Sequence, residues 1–177
     1  MPDILEAILP PQTQELAKRT LERVRDAELR VTTAESCTAG LLAAVMTNVE
    51  GCGHVFDRGF VTYELRAKCD MLGLPDDIVE DNAAVNKEVA LAMAESALDR
   101  SFADIAIGIT GFAGPCDNDQ EEGLVFIGCA AKGRDTIYRE EHYGAKGRDA
   151  IRQAALHTAF EMIGEAASKL EKASDSE

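Results

Sequence analysis

Polar and apolar positions change period several times along this chain, and each change predicts an element. Across residues 12–27, Leu16, Thr20 and Val24 fall four apart with Leu21 beside them and charges between, which predicts an amphipathic helix behind Pro10 and Pro11. Residues 29–34 (LRVTTA) alternate and are β-branched, the pattern of a strand. The Ala- and Leu-rich stretch 38–49 (TAGLLAAVMTNV) then predicts a helix. Gly51-Cys52-Gly53 reads as a loop, 59–63 (GFVTY) as a short strand, and 64–72 as a short helix closed by Gly73 and Pro75. Residues 86–101 place Val89, Met93, Ala97 and Leu98 on one helical face, with Asn86 as N-cap. An apolar run of buried-strand length, 103–110 (ADIAIGIT), leads into the small-residue turn Gly111-Phe112-Ala113-Gly114-Pro115. Residues 116–122 read as an exposed polar loop, and 123–131 and 135–142 as two strands joined at Lys132-Gly133-Arg134. A final helix is expected over 147–170, with 171–177 as a flexible tail.

Strand–helix alternation followed by a hairpin predicts an α/β fold: three layers, α/β/α, with a mixed, mostly parallel sheet of about five strands and helices on both faces. Without a repeat or low-complexity linker, residues 1–177 read as one domain with its core over about 12–170. At 177 residues and 46% hydrophobic, the chain is long enough for a core of its own.

Charge and cysteine content narrow the chemistry. A net charge of −14 with no basic block argues against a nucleic-acid partner. Five cysteines without a C-x-x-C spacing and three scattered histidines support neither a disulfide framework nor a metal site. The start, MPDILEAILPPQ, has acids where a secretory leader needs positive charge, and no apolar run approaches the ~20 residues of a membrane span. A reduced, cytoplasmic protein with neither membrane nor metal is expected.

The predicted strand-to-helix turn Glu35-Ser36-Cys37-Thr38 is the strongest local feature. A hydroxyl at such a turn stands beside backbone N–H groups that stabilise anions and developing oxyanions. Ser36 therefore reads either as a nucleophile or as a helix cap worth ~1 kcal/mol. Cys37 reads as a small buried thiol. A serine nucleophile needs a base, and His54, His142 and His157 are poorly placed for one. Lys68 follows Tyr63 by five residues, so a phenol and a lysine can converge on one crevice; the plainer alternative is a solvated surface lysine. As a base Lys68 must lose its proton near neutrality, which takes ~3 to 5 kcal/mol of desolvation or like-charge repulsion. The turn after Thr110 allows close approach of backbone to a ligand, or simply a tight bend, and Gly111 begins it. Arg148 reads as a phosphate clamp or as a surface charge at a helix start.

Four blocks, TTAESCTAGLLAA, FDRGFVTYELRAKCDMLGL, ITGFAGP and the GRDAIRQAA run, resemble in order and spacing the signatures of the CinA C-terminal-domain family, which includes stand-alone nicotinamide-nucleotide amidases. The resemblance covers residues from about 12 to 165. It implies a three-layer α/β/α fold, no cofactor, a nucleotide substrate and a homodimer. It also implies hydrolysis of the carboxamide of nicotinamide mononucleotide, with Ser36 as nucleophile, Lys68 as base and Tyr63 assisting. Amides of Cys37 and Thr38, or of the Gly111 turn, would then hold the oxyanion, and Thr110, Gly111 and Arg148 the phosphate. The sequence departs from the family around this pocket. Ala39-Gly40 stands where the family usually has Gly-Gly, Ala83-Ala84-Val85-Asn86 where it has Gly-Ala-Val-Ser, and Phe112 where it has a small aliphatic residue. Those departures leave open an amidase acting on another small amide, or a non-catalytic nucleotide-binding regulatory module.

Overall fold

A computed structural model describes residues 9–115 and 120–174. Residues 1–8 of the segment read for a leader, residues 116–119 of the expected polar loop and residues 175–177 of the expected tail lie outside it.

The first helix, α1 (Pro11–Asp26), begins with proline, whose missing N–H costs nothing at a helix start. Strand β1 (Val31–Glu35) is buried at every position, as the centre of a covered sheet requires. Helix α2 (Leu41–Asn48) begins later than its composition suggests, because Ala39 at φ 53° and Gly40 at φ 88° turn the chain left-handed first. A short turn, Gly53–Val55, leads into β2 (Phe56–Val61). This strand is displaced toward the N-terminus of the expected GFVTY. Its register is set by pairing with β1, from Val31 against Phe56 to Glu35 against Val61, and its half-exposed edge position hides it from an apolar pattern.

Helix α3 (Leu65–Leu72) closes on Gly73 at φ 71°, a left-handed C-cap. The sequence reading missed α4 (Asp76–Glu80) and the following 3-10 turn, Asp81–Ala84; neither is long enough to show a period. Helix α5 (Lys87–Asp99) is capped as expected, Val89 N–H donating to Asn86 Oδ1 at 2.8 Å. Strands β3 (Ile105–Gly111), β4 (Leu124–Ala131) and β5 (Ile137–His142) complete the sheet. Helix α6 (Arg148–Ser174) runs into the expected tail, its last turn continuing to Ser174.

The strand order is β2-β1-β3-β4-β5. The first three strands are parallel, and the β3–β4 and β4–β5 ladders are antiparallel, so β4 alone runs against the rest. This is the expected mixed α/β sheet. Its two faces differ. Ile105, Ile107, Ile109 and Ile127 point toward α1, α2 and α6, packing on Leu21, Leu42, Ile151 and Phe160. The opposite face presents Ala34, Ala106 and Ala130 to Leu72, Val89 and Met93 of α3 and α5. There Gly108 pairs with Gly128 across the β3–β4 ladder, and a Cβ on either would come within 2.5 Å of the Ala90 carbonyl oxygen. Helix α5 thus rests directly on sheet backbone.

Candidate active site

Strands β1 and β2 end together. Glu35 pairs with Val61, Thr62 N–H donates to the Glu35 carbonyl at 2.8 Å, and Ser36 N–H donates to Ile109 of β3 at 3.0 Å. From β1 the chain crosses over to β2, and from β2 it returns past β1 to β3, with α2 on one face and α3 to α5 on the other. A crevice at the carboxyl ends of parallel strands, where crossovers leave to opposite faces, is where α/β sheets bind ligands. Ser36 sits there.

Glu35 is fully buried. Its carboxylate accepts from Gly40 N–H at 3.0 Å, Leu42 N–H at 3.1 Å, Ala43 N–H at 2.9 Å and the Thr33 hydroxyl at 3.2 Å. The first amides of α2, which the sequence reading held free for a ligand, are therefore spent on Glu35. The amides of Cys37 and Thr38 precede them and meet no oxygen acceptor among the described residues. Sequence reasoning assigned Glu35 no role. An acid closing an otherwise uncharged strand, just before a helix start, was the available signal.

Lys68 leaves α3 and runs back toward the helix N-terminus, the direction helical side chains lean. It is 1% exposed, and its Nζ lies 3.1 Å from Ser36 Oγ, 2.9 Å from the Thr62 carbonyl oxygen and 3.1 Å from that of Tyr63. None of these partners carries a charge. Burial pushes the Lys68 pKa below the usual 10.5, and nearby groups, Glu64 among them, oppose this more weakly. The solvated-lysine alternative does not describe this residue.

Tyr63 lies just past the end of β2, and its backbone carbonyl rather than its phenol meets Lys68. Tyr63 as a whole is 59% exposed beside the cleft, and its phenol meets no protein partner among the described residues. Burial raises the Cys37 thiol to about 12, which leaves it protonated and unreactive at neutral pH. The hydroxyls of Thr38 and Thr62 are buried with no hydrogen-bond partner among the described residues.

A cleft of about 380 Å³ brings together Ser36, Cys37, Tyr63, Lys68, Thr110, Gly111 and Arg148. The Thr38 side chain does not line it; that side chain is buried, which leaves the backbone amide as the group the residue could offer. Two of the other expected ligand contacts are already engaged. The Thr110 hydroxyl donates to the Ala84 carbonyl at 2.6 Å, holding a turn in which Ala83 and Ala84 adopt φ of 55° and 60°. Gly111 is small because β4 is close: a Cβ there would lie 2.7 Å from the Leu124 carbonyl oxygen. Arg148, exposed at the start of α6, rests its guanidinium against Gly114 and pairs with no carboxylate among the described residues. Phe112 lines the cleft while packing toward Val85, Ala90 and Phe126, so it forms a wall.

Among the described residues, no group of three or more His, Cys, Asp and Glu side chains is arranged to hold a metal ion, and no helix is long and apolar enough to cross a membrane.

Comparison with known proteins places this geometry. The CinA C-terminal domain family matches residues 13–167. The chain is 41% identical to a CinA-like protein of Akkermansia muciniphila over 131 residues, 73% of this chain and 32% of that one. It is 34% identical to the nicotinamide-nucleotide amidohydrolase PncC of Escherichia coli strain K12 over 154 residues, covering 86% of this chain and 93% of the relative. The crystal structure of the competence/damage inducible protein CihA of Agrobacterium tumefaciens superposes with a TM-score of 0.84 at 41% identity, over 88% of this chain and 95% of the other. The chain spans between 31% and 38% of the length of the first curated relatives it matches. By family match, sequence identity and fold alike, the chain belongs to the CinA C-terminal domain family.

Proposed function

We propose that this protein is a serine–lysine amidohydrolase that converts nicotinamide mononucleotide to nicotinate mononucleotide and ammonia. The observation that carries this reading is the Lys68 amine, buried against Ser36 Oγ and two carbonyl oxygens and bonded to no carboxylate among the described residues. Carbonyl oxygens only accept. A neutral Lys68 therefore directs its two N–H bonds to Thr62 and Tyr63, and its lone pair is left for the proton of Ser36.

On this reading Lys68 takes the Ser36 proton as Oγ attacks the carboxamide carbon. The resulting oxyanion is received by the amides of Cys37 and Thr38, from which no oxygen among the described residues accepts. Lys68 then hands the proton to the departing nitrogen, ammonia leaves, and a Ser36 ester remains. A water deprotonated by the same amine attacks the ester, the C–Oγ bond breaks, and Lys68 returns the proton to Ser36. The Tyr63 phenol stands at the cleft to meet the substrate or the oxyanion. Arg148, paired with no carboxylate among the described residues, is the group for the phosphate. Thr110 and Gly111 shape the wall on which that nucleotide lies. The name of the Escherichia coli relative, 93% of which this chain matches, supports the substrate.

The test is release of ammonia from nicotinamide mononucleotide by the purified protein. Wild type is expected to turn over, and Ser36→Ala to lose at least ~10³-fold in kcat, as removal of such a nucleophile does. Equal rates for the two proteins would overturn the reading. The Phe112 wall and the Ala83 turn favour a second reading, the same chemistry on a different small amide. Turnover of other amides in a panel, with none of the nucleotide, selects it.

A further inference from the structure

We propose that Arg152, a residue outside the cleft, is a positioning residue that aims the oxyanion-binding amides; the proposal rests on Ser36 being the nucleophile. Three consecutive carbonyls of the Ser36 turn are anchored. Ser36 O accepts from Ala39 N–H at 3.1 Å, Thr38 O accepts from Leu41 N–H at 3.1 Å, and between them Cys37 O accepts from Arg152 Nε at 2.7 Å. The first and last anchors are local and belong to the turn itself. The middle one comes from α6, 115 residues away in sequence.

A trans peptide sends its C=O and the following N–H in opposite directions, and no described bond is cis. Fixing the Cys37 carbonyl on Arg152 therefore fixes the Thr38 N–H on the other side of the same plane. Fixing the Ser36 carbonyl does the same for the Cys37 N–H. These are the two amides of the turn that no oxygen among the described residues accepts from. The bond from Arg152 is charge-assisted and short. It also polarises the peptide it holds, drawing electron density to oxygen and strengthening the opposite N–H as a donor. Arg152 pairs with no carboxylate among the described residues. One helical turn earlier, Arg148 lines the cleft and faces the substrate. The two arginines of α6 thus divide the work: one toward the ligand, one behind the backbone that receives the oxyanion.

The experiment compares wild type with Arg152→Gln and Arg152→Lys in two assays. In the first, ammonia release, Arg152→Gln is expected to lower kcat about 30-fold with KM within twofold, below the 10²–10³ of deleting a donor outright because the amides remain. Arg152→Lys should recover part of the loss. The second needs no amide substrate: the rate at which phenylmethylsulfonyl fluoride sulfonylates Ser36, with loss of fluoride, read by mass spectrometry. It should slow by a similar factor in Arg152→Gln, at a melting temperature close to wild type. Wild-type rates for Arg152→Gln in both assays overturn the proposal while leaving the serine–lysine reading standing. So does a rise in KM at constant kcat, or a loss of rate that tracks unfolding and is matched in full by Arg152→Lys. Failure of wild type both to turn over an amide and to label at Ser36 overturns the underlying reading, and this proposal with it.

Discussion

Glu35 and Lys68 are buried ionisable groups a few ångströms from the same serine turn, and the fold treats them in opposite ways. Glu35 is met by three backbone N–H groups and a hydroxyl, all donors, at the start of a helix whose dipole favours an anion. Lys68 is met by two carbonyls and an alcohol, with no anion in its shell. A buried charge with a full complement of opposite dipoles is a brace. A buried amine with too few is pushed toward its neutral form, and a neutral amine beside an alcohol is a base. The difference lies in what surrounds each group, since both side chains are equally withdrawn from water.

The comparison can be broken at either partner. The largest effect is expected from Lys68→Met, which should cut ammonia release at least ~10³-fold while the protein still unfolds cooperatively. Activity within tenfold of wild type would show that Lys68 is structural. Glu35→Ala leaves several buried amides without an acceptor and should cost about 3 kcal/mol in a urea titration. A loss under about 1 kcal/mol would mean that Glu35 braces nothing.

The pH dependence follows from the lowered Lys68 pKa. Between its folded value and the unfolded value near 10.5, the unfolded chain holds the proton and the folded one does not, so stability rises with pH. Below the folded value the full cost of burying the charge is present, and above 10.5 it is gone. The stability of wild type relative to Lys68→Met should therefore climb with pH across that window, by at most about 1.4 kcal/mol per pH unit. Urea midpoints measured from pH 7 upward check the slope; a flat difference contradicts a lowered pKa. kcat/KM should rise with pH up to the folded value and level off above it, because the neutral amine is the base. The smallest effect is Ala39→Gly. It relieves a left-handed alanine in the turn that Glu35 holds, and should stabilise by about 1 kcal/mol in the same titration; destabilisation would contradict strain there.

Much of the fold was legible because its elements carry their own signals. Val89, Met93 and Ala97 mark the buried face of α5, Asn86 marks its start, and the isoleucines of β3 declare a covered strand. Edge strand β2 and short α4 carry no such signal, since one is half exposed and the other is a little over a turn. At the site, Ser36 and Lys68 stood out in the sequence through family resemblance and turn position. The burial of Lys68 did not, because RAKCDM reads equally well as a solvated helix face. Glu35 and Arg152 act through backbone groups that only the folded turn brings to them. Thr110 and Gly111 looked like ligand contacts because a small or hydroxylated residue at a strand end suits either a ligand or a neighbouring segment. Here Ala84 and Leu124 are those neighbours.

The glycine pair under α5 reaches further than packing. Ala90 presses on Gly108 and Gly128, and the residues just before α5 carry the Ala84 carbonyl that Thr110 holds and the Val85 side chain on the cleft wall. The bare patch of sheet is thus a datum from which the height of that wall is measured. A single methyl group at residue 108, itself no part of the cleft lining, would lift the helix, stretch the Thr110 tether and change the width of the opening offered to the incoming molecule.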